Sequence, residues 1–128
     1  MSYPRALLDE LCKNCLNKRI DSTHTISDAI RDASSFDENT RGLRAVDAYR
    51  MRMIAYVFVR AAWVVVKNEC GCENCIKKLS DAMYEAEVGA NPDFRSLLNR
   101  DAVKTVFLNN FGTANLYALS ILRIAFST

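Results

Sequence analysis

The longest apolar run in the chain covers residues 48–67, AYRMRMIAYVFVRAAWVVVK, and it contains neither proline nor glycine. A run of that length without a helix breaker predicts a helix rather than a strand. Apolar residues occupy nearly every face between Met53 and Val66, so most of this helix should be buried. The chain is therefore expected to fold around one central apolar helix, with the other helices wrapped about it.

Three arginines, Arg50, Arg52 and Arg60, interrupt this run. They argue against its insertion in a membrane, although the run is nearly long enough to span one. A guanidinium is rarely buried without a partner. Arg52 and Arg60 lie about two turns apart and share roughly one side of the helix. Either they mark its solvent-facing edge, or Arg52 lies at the lip of a groove and awaits an acidic partner.

The composition favours a single all-α domain over residues 1–128. Hydrophobic residues make up 50% and charged residues 25% of the chain, as in ordinary globular proteins. Four glycines and two prolines are too few for the many turns of an all-β fold. The net charge of +2 is too weak to favour nucleic acid as a partner. We find no charged-then-apolar signal peptide at the N-terminus.

Amphipathic patterns predict several further helices around the central one. The first covers residues 4–19, and the second covers about residues 25–34, with Phe36 just beyond it. Gly71 is the pivot of a turn after the central helix. Later helices are predicted at residues 73–88, 94–98, 102–110 and 116–126. The last of these is too short to span a bilayer, so we expect it to pack against the domain.

All five cysteines fall in two clusters, CKNC at residues 12–15 and CGCENC at residues 70–75. Two C-x-x-C pairs supply the four thiolates of a tetrahedral zinc site, here Cys12, Cys15, Cys72 and Cys75. Against zinc, the first pair extends the apolar stripe of the first helix, where cysteine packs as a small hydrophobe. Only the second cluster offers the tight turn usual for zinc ligands. A disulfide is unusual inside cells. Free thiols without a cofactor are the prediction, and zinc is the alternative.

Candidate catalytic residues are scarce. The only histidine, His24, lies in a polar linker with no partner suggested by the sequence, so we expect it to be solvated or to cap a helix. Motifs such as G-x-S-x-G, a glycine-rich phosphate loop and H-E-x-x-H are absent. We therefore predict a binding protein rather than an enzyme, and we assign no catalytic residue.

An arginine at the head of a central apolar helix, in a small helical domain, resembles the Bcl-2 family of apoptosis regulators. Four segments are similar to family motifs in the family's order. They are the first-helix motif (residues 7–19, LLDELCKNCLNKR), the groove-forming second helix (26–34, ISDAIRDAS), the arginine-led central helix (52–65, RMIAYVFVRAAWVV) and the second homology motif (97–112, LLNRDAVKTVFLNNFG). The chain departs from the family where Tyr49-Arg50-Met51 replaces Asn-Trp-Gly. The stretch for the third and fourth helices is also short. Such erosion is typical of viral members, and it implies a compact homologue from an iridovirus-like large DNA virus.

The resemblance implies a Bcl-2-like bundle that inhibits apoptosis by holding the amphipathic death-promoting helix of host pro-apoptotic Bcl-2 family proteins in an apolar groove. The invariant aspartate of that helix would pair with Arg52. The other groove-lining candidates, for which core packing is the alternative, are Ile30, Phe36, Leu43, Val46, Tyr49, Met53, Tyr56 and Phe111. Tyr49 is the first choice for ligand contact, because its hydroxyl can stay hydrated while its ring fills a pocket.

The same resemblance implies where the protein acts and how it assembles. It places the protein in the host cytoplasm, with the mitochondrial outer membrane as a second location, and leaves membrane association open. An open apolar groove also favours a homodimer, because large exposed apolar patches attract partners.

Overall fold

The computed structural model describes residues 4–89 and 100–127. These residues form helices and no β-strand, which confirms the predicted all-α fold class. In chain order the elements are α1 (Leu7–Glu10), α2 (Lys13–Leu16), α3 (Ile26–Glu38), α4 (Ala45–Val65), a π-helix (Val66–Cys70), α5 (Glu73–Gly89), α6 (Arg100–Phe111) and α7 (Leu116–Ala125). The helix predicted at residues 94–98 lies outside the described residues.

Helix α4 lies at the centre of the domain, as its apolar sequence predicts. Helices α3, α5, α6 and α7 all pack against it, and Val57, Phe58 and Val59 are buried almost completely. The helix begins three residues earlier than predicted. At its end the hydrogen bonding widens into the π-helix, which terminates at Gly71 in the left-handed region (φ 65°). Glycine adopts this conformation without steric cost, so the predicted pivot is confirmed.

The predicted first helix at residues 4–19 is wrong, because the chain breaks it in two. Leu11 and Cys12 are extended (ψ 146° and 154°) and separate α1 from α2. The backbone N–H of Cys12 donates to Sγ of Cys75 at 3.3 Å instead of continuing the helix, while the Leu11 side chain is buried. A contact between distant segments therefore overrides a helical periodicity that looked continuous.

Helix α3 begins where the sequence predicts and ends later. Thr25 is its N-cap: the backbone N–H of Asp28 donates to the Thr25 hydroxyl at 3.3 Å, and the Thr25 N–H donates to the Asp28 carboxylate at 2.9 Å. This reciprocal capping box satisfies two N–H groups that the first turn would leave unpaired. The helix continues to Glu38. Phe36 therefore lies within it rather than beyond it, and its ring packs 5.9 Å from that of Phe58.

Helix α7 packs on α4, as expected for the last helix. Asn115 caps its start by accepting a hydrogen bond from the Ala118 N–H at 3.0 Å. Its inward face buries Ala118, Ile121, Leu122 and Ala125. No helix within the described residues combines the length and the hydrophobicity that crossing a bilayer requires.

Candidate functional site

The predicted groove residues divide into three classes by exposure. Ile30, Met53 and Tyr56 are buried, while Phe36, Tyr49 and Phe111 are half-buried. Leu43 (43% exposed), Val46 (51% exposed) and Arg52 lie at the surface. Phe36 and Phe111 pack edge to face, with their rings 5.5 Å apart, in an aromatic cluster that includes Phe58. The buried class belongs to the core, so a ligand surface is limited to the other two classes.

An exposed ridge runs along the first half of α4. Val46, Tyr49 and Arg52 occur at every third position, and such residues are neighbours on a helix surface. Tyr49 is only half-exposed and its hydroxyl oxygen is buried, so the prediction that this hydroxyl stays hydrated is wrong. Leu43 lies just before the helix. Leu43 and Val46 are two of the four large hydrophobic residues that are exposed within the described part of the chain. We call Leu43, Val46, Tyr49 and Arg52 the α4 ridge: an apolar strip beside one guanidinium.

An acidic residue from α3 lies within electrostatic range of this ridge. Burial raises the pKa of Asp37, and the positive charge of Arg52 opposes that rise. The neighbouring Glu38 is paired elsewhere, since its carboxylate accepts two hydrogen bonds from Arg5 at 2.6 and 2.9 Å. The positive charge of Arg52 therefore acts on Asp37 near the end of α3.

The second half of α4 is covered by other helices. The Tyr56 hydroxyl donates a short hydrogen bond to the Glu87 carboxylate on α5, and burial raises the pKa of Tyr56. Arg60 donates from Nε to the carbonyl of Ala125 at 2.6 Å, and its guanidinium lies 5.5 Å from the ring centre of Phe126. Arg60 is therefore half-buried and bonded to the end of α7, so it does not mark a solvent-facing edge of α4.

The cysteines of the two clusters meet at one place. A disulfide joins Cys15 to Cys70, with their Cα atoms 5.7 Å apart. Cys12, Cys72 and Cys75 are free. The prediction of free thiols is therefore wrong for Cys15 and Cys70. It failed because helix packing brings the α2 segment against the π-helix, a contact that no local pattern encodes.

Four cysteine sulfur atoms, one of them from this disulfide, form a compact group. The Sγ atoms of Cys12, Cys15, Cys72 and Cys75 all lie within 4.8 Å of one another. These are the four residues that the sequence offers as alternative zinc ligands. Neither a histidine nor a carboxylate belongs to this group, and such an all-sulfur set suits a soft metal ion.

The two C-x-x-C pairs share one local geometry. The first cysteine of each pair lies immediately before a helix, and its carbonyl accepts the hydrogen bond that opens the helix. Leu16 N–H donates to Cys12 at 3.0 Å, and Ile76 N–H donates to Cys72 at 2.9 Å. Both pairs thus lie on tight helix-entry turns. The expectation that only the second cluster offers a tight turn is therefore wrong, because the first helix breaks at Leu11 and Cys12.

The thiols of the second pair differ in acidity. The backbone N–H of Cys75 donates to the sulfur of Cys72, and this hydrogen bond is the main reason why the pKa of Cys72 lies below its ordinary value. Burial raises the pKa of Cys75 to about 11. Because the thiolate is the reactive and metal-binding form, Cys72 is the more readily ionised thiol of this pair.

His24 has partners that the sequence did not suggest. Its ring stacks on Tyr117 of α7 with centroids 3.6 Å apart, and its Nδ1 lies 3.0 Å from the Asp21 carboxylate. The Tyr117 hydroxyl donates to Asp32 of α3 at 2.8 Å. The expectation of a merely solvated or capping histidine is therefore wrong. These contacts tie the linker before α3 to the last helix, which is a structural role.

A separate cleft of about 680 Å³ opens beside α7 and is lined by Asp21, Lys104 and Arg123 together with apolar residues of that helix. None of the nine predicted groove residues, all of them described by the structure, lines this cleft. The cleft and the α4 ridge are therefore different surfaces.

No family model, curated protein or solved structure matches the chain.

Proposed function

We propose that the protein is a viral inhibitor of apoptosis, a counterpart of the Bcl-2 family, that sequesters the amphipathic death-promoting helix of host pro-apoptotic Bcl-2 family proteins. It acts as a binding protein rather than an enzyme. It works in the host cytoplasm, with the mitochondrial outer membrane as the second location. The observation that carries the proposal is the α4 ridge, a largely exposed apolar strip beside Arg52, which lies about two turns after the start of the central helix.

The apolar part of the ridge supplies the driving force. Leu43 and Val46 are each about half exposed, so covering them removes apolar surface from water and contributes about 1 kcal/mol each. Tyr49 lies between Val46 and Arg52 and adds an aromatic face. An amphipathic helix laid along this strip recognises it through anchors three or four residues apart.

Arg52 supplies orientation and selectivity. In the free protein its charge is felt by Asp37. When a death-promoting helix binds, its aspartate pairs with the Arg52 guanidinium. A charge-assisted pair in a partly dry groove contributes a few kcal/mol at most, so Arg52 selects among helices that share the same apolar anchors.

The direct test is calorimetric titration of the full chain with a panel of death-promoting helix peptides, each with and without its aspartate. At least one peptide should bind with sub-micromolar affinity. Both removal of the peptide aspartate and Arg52→Ala should weaken this binding roughly tenfold to hundredfold, and the two changes together should cost little more than either alone.

The matched control is Arg50→Ala, which removes an exposed arginine that pairs with Asp47 at 3.6 Å and should leave peptide affinity unchanged. Helical circular dichroism of both variants should equal that of the unaltered chain. Absence of binding across the panel overturns the proposal, as does an Arg52→Ala protein that unfolds like a core truncation.

An uncovered ridge also favours self-association in the absence of ligand, and we propose a homodimer that shares this surface. Sedimentation velocity should then show dimer in the free protein and monomer with bound peptide. Dimer that persists unchanged in the peptide complex places the dimer contact elsewhere.

The second candidate is a zinc-stapled helical adaptor or nucleic-acid-binding protein. The grouping of four cysteine sulfurs favours its metal staple. The net charge of +2 offers nucleic acid only a weak attraction. A chain that binds zinc, loses helicity with chelator and binds no death-promoting peptide would support this candidate.

A further inference from the structure

Cys15 belongs to two arrangements that exclude each other. It forms the disulfide with Cys70, and its sulfur is also one of the four that lie within 4.8 Å of one another. A metal takes cysteine as the thiolate, so Cys15 cannot ligate a metal while it is bonded to Cys70. Cys70 lies outside the four-sulfur group and competes with a metal ion for the Cys15 side chain.

We propose that Cys12, Cys15, Cys72 and Cys75 bind one zinc ion when the Cys15–Cys70 disulfide is reduced, and that forming this disulfide releases the zinc. The five cysteines thus act as a redox-controlled zinc site. This inference stands on the geometry of the cysteines alone and does not depend on the proposed groove function.

The sulfur positions suit a tetrahedral ion. With Zn–S bonds of about 2.3 Å, the sulfurs of a tetrahedral site lie about 3.8 Å apart. The observed sulfurs lie within 4.8 Å of one another, so a movement of roughly half an ångström per sulfur brings them to tetrahedral separations. The Cys12 N–H already donates to the Cys75 sulfur at 3.3 Å, and such outer hydrogen bonds orient metal ligands.

The site is open on one side and closed on the other. Cys12 is exposed and Cys72 is half-buried, whereas Cys15 and Cys75 are buried. The exposed side gives an entry path to the ion, and the half-buried Cys70 gives a small thiol a disulfide sulfur to attack. The buried pair keeps water from the rest of the coordination sphere.

The exchange balances with a small thiol as reductant and its disulfide as oxidant. Two small thiol molecules each give one electron and one proton to the Cys15–Cys70 bond. This bond breaks to give the Cys15 and Cys70 thiols, and the two small molecules join as a disulfide. Zinc then displaces the protons of the four ligand thiols. In reverse, the small disulfide oxidises Cys15 and Cys70 to their disulfide and is itself reduced to two small thiols. The zinc ion leaves, and Cys12, Cys72 and Cys75 become thiols. The whole step takes up four protons.

The test measures zinc in the purified full chain by elemental analysis, after equilibration with zinc and then with either reduced or oxidised glutathione. After desalting, the reduced protein should hold about one zinc per chain, as four thiolates require. The oxidised protein should hold less than roughly a tenth of that. Cobalt(II) alone should give thiolate charge-transfer and tetrahedral d–d bands in the reduced form only.

Two variants separate the parts of the proposal. Cys70→Ser removes the thiol that competes with zinc for Cys15, so this variant should keep its bound zinc when oxidised glutathione is added. Cys12→Ser alters an exposed ligand, so it should keep the fold and the Cys15–Cys70 disulfide while losing tight zinc binding. Thiol titration reports the disulfide, and circular dichroism reports the fold.

The proposal is overturned if the reduced chain holds no zinc, or if Cys12→Ser binds zinc as tightly as the unaltered chain. It is equally overturned if oxidation releases zinc from Cys70→Ser as fully as from the unaltered chain. Zinc that stays bound in the oxidised protein also contradicts the exchange, because Cys15 would then not be shared.

Discussion

At the residue scale, Arg60 shows how a half-buried guanidinium finds partners in a helical domain. Its Nε donates to the Ala125 carbonyl at 2.6 Å, and its guanidinium lies 5.8 Å from the ring centre of Trp63 and 5.5 Å from that of Phe126. The carbonyls at the end of a helix have no partner within that helix. Arg60 therefore satisfies the end of α7 while its stem packs among apolar groups.

Replacing Arg60 by methionine should lower the free energy of unfolding by about 1–3 kcal/mol, since a hydrogen bond from a charged donor is lost while most of the side-chain packing remains. Urea denaturation measures the change. The matched control, Arg50→Met, alters a side chain that is 56% exposed and should change stability by less than about 0.5 kcal/mol. Equal losses of stability in the two variants would contradict a stabilising hydrogen bond from Arg60 to the end of α7.

The pKa of Asp37 depends on the positive charge of Arg52. Burial raises the pKa of Asp37 above its ordinary value, and Arg52 opposes the rise. Because the folded pKa exceeds the unfolded one, this carboxyl favours folding most below the unfolded pKa. That contribution is lost as the pH rises through the folded pKa.

The replacement Arg52→Gln should therefore raise the pKa of Asp37 further, and carbon-detected NMR titration of the carboxyl measures it. Arg50→Gln should leave that pKa in place, since Arg50 pairs with Asp47. An Asp37 pKa that falls or stays constant in Arg52→Gln would show that the two charges do not interact.

At the scale of elements, polar side chains join α3 to α7. The Tyr117 hydroxyl donates to Asp32 at 2.8 Å, and the Tyr117 ring stacks on His24. Burial, and then the hydrogen bond to Asp32, raise the pKa of Tyr117. The neutral phenol of Tyr117 thus joins the last helix to α3, the first long helix of the chain.

At pH 7 the variant Tyr117→Phe should be less stable by about 1 kcal/mol, because one intramolecular hydrogen bond is lost. Since the folded pKa of Tyr117 is raised, its stabilising effect is complete below the unfolded value near 10 and declines as pH rises through the folded value. The difference between variant and unaltered chain should therefore shrink above about pH 10. Urea denaturation at both pH values tests this, and a constant difference would exclude a role for phenol ionisation.

For the whole molecule, the cysteine group joins the N-terminal segment to the far end of the central helix. The disulfide closes a separation of 55 residues, and restricting an unfolded chain over such a loop contributes about 4 kcal/mol in the loop-entropy model. Helices of one turn are not stable alone. The disulfide attaches α2 to the domain, and α1 packs against α3 and α5.

In the presence of chelator, reducing the disulfide should lower the free energy of unfolding by about 2–4 kcal/mol. Guanidinium denaturation with and without a phosphine reductant measures the loss. The Cys70→Ser protein is the control and should not respond to the reductant. Addition of zinc should restore stability to the reduced chain, because an ion that binds only the folded state stabilises it. A reduced chain as stable as the oxidised one would show that the crosslink adds nothing.

Local features made much of the fold predictable from the sequence. The length of the apolar run and its lack of glycine and proline predicted the buried central helix, now α4. The amphipathic pattern predicted the start of α3, and the structure adds a capping box between Thr25 and Asp28 there. The groove candidates came from the family resemblance, and the exposure of Leu43 and the burial of Met53 were seen only in the packed structure.

The sequence by itself determined the helical class, the central helix and the turn at Gly71, because these depend on residues that are neighbours along the chain. Tertiary structure alone decided the break at Cys12, the meeting of the two cysteine clusters, the stacking of His24 on Tyr117 and the clamp of Arg60 on α7. Each of these joins groups far apart in sequence. Their encounter depends on how amphipathic helices pack to bury apolar surface, and many packings satisfy the same local pattern.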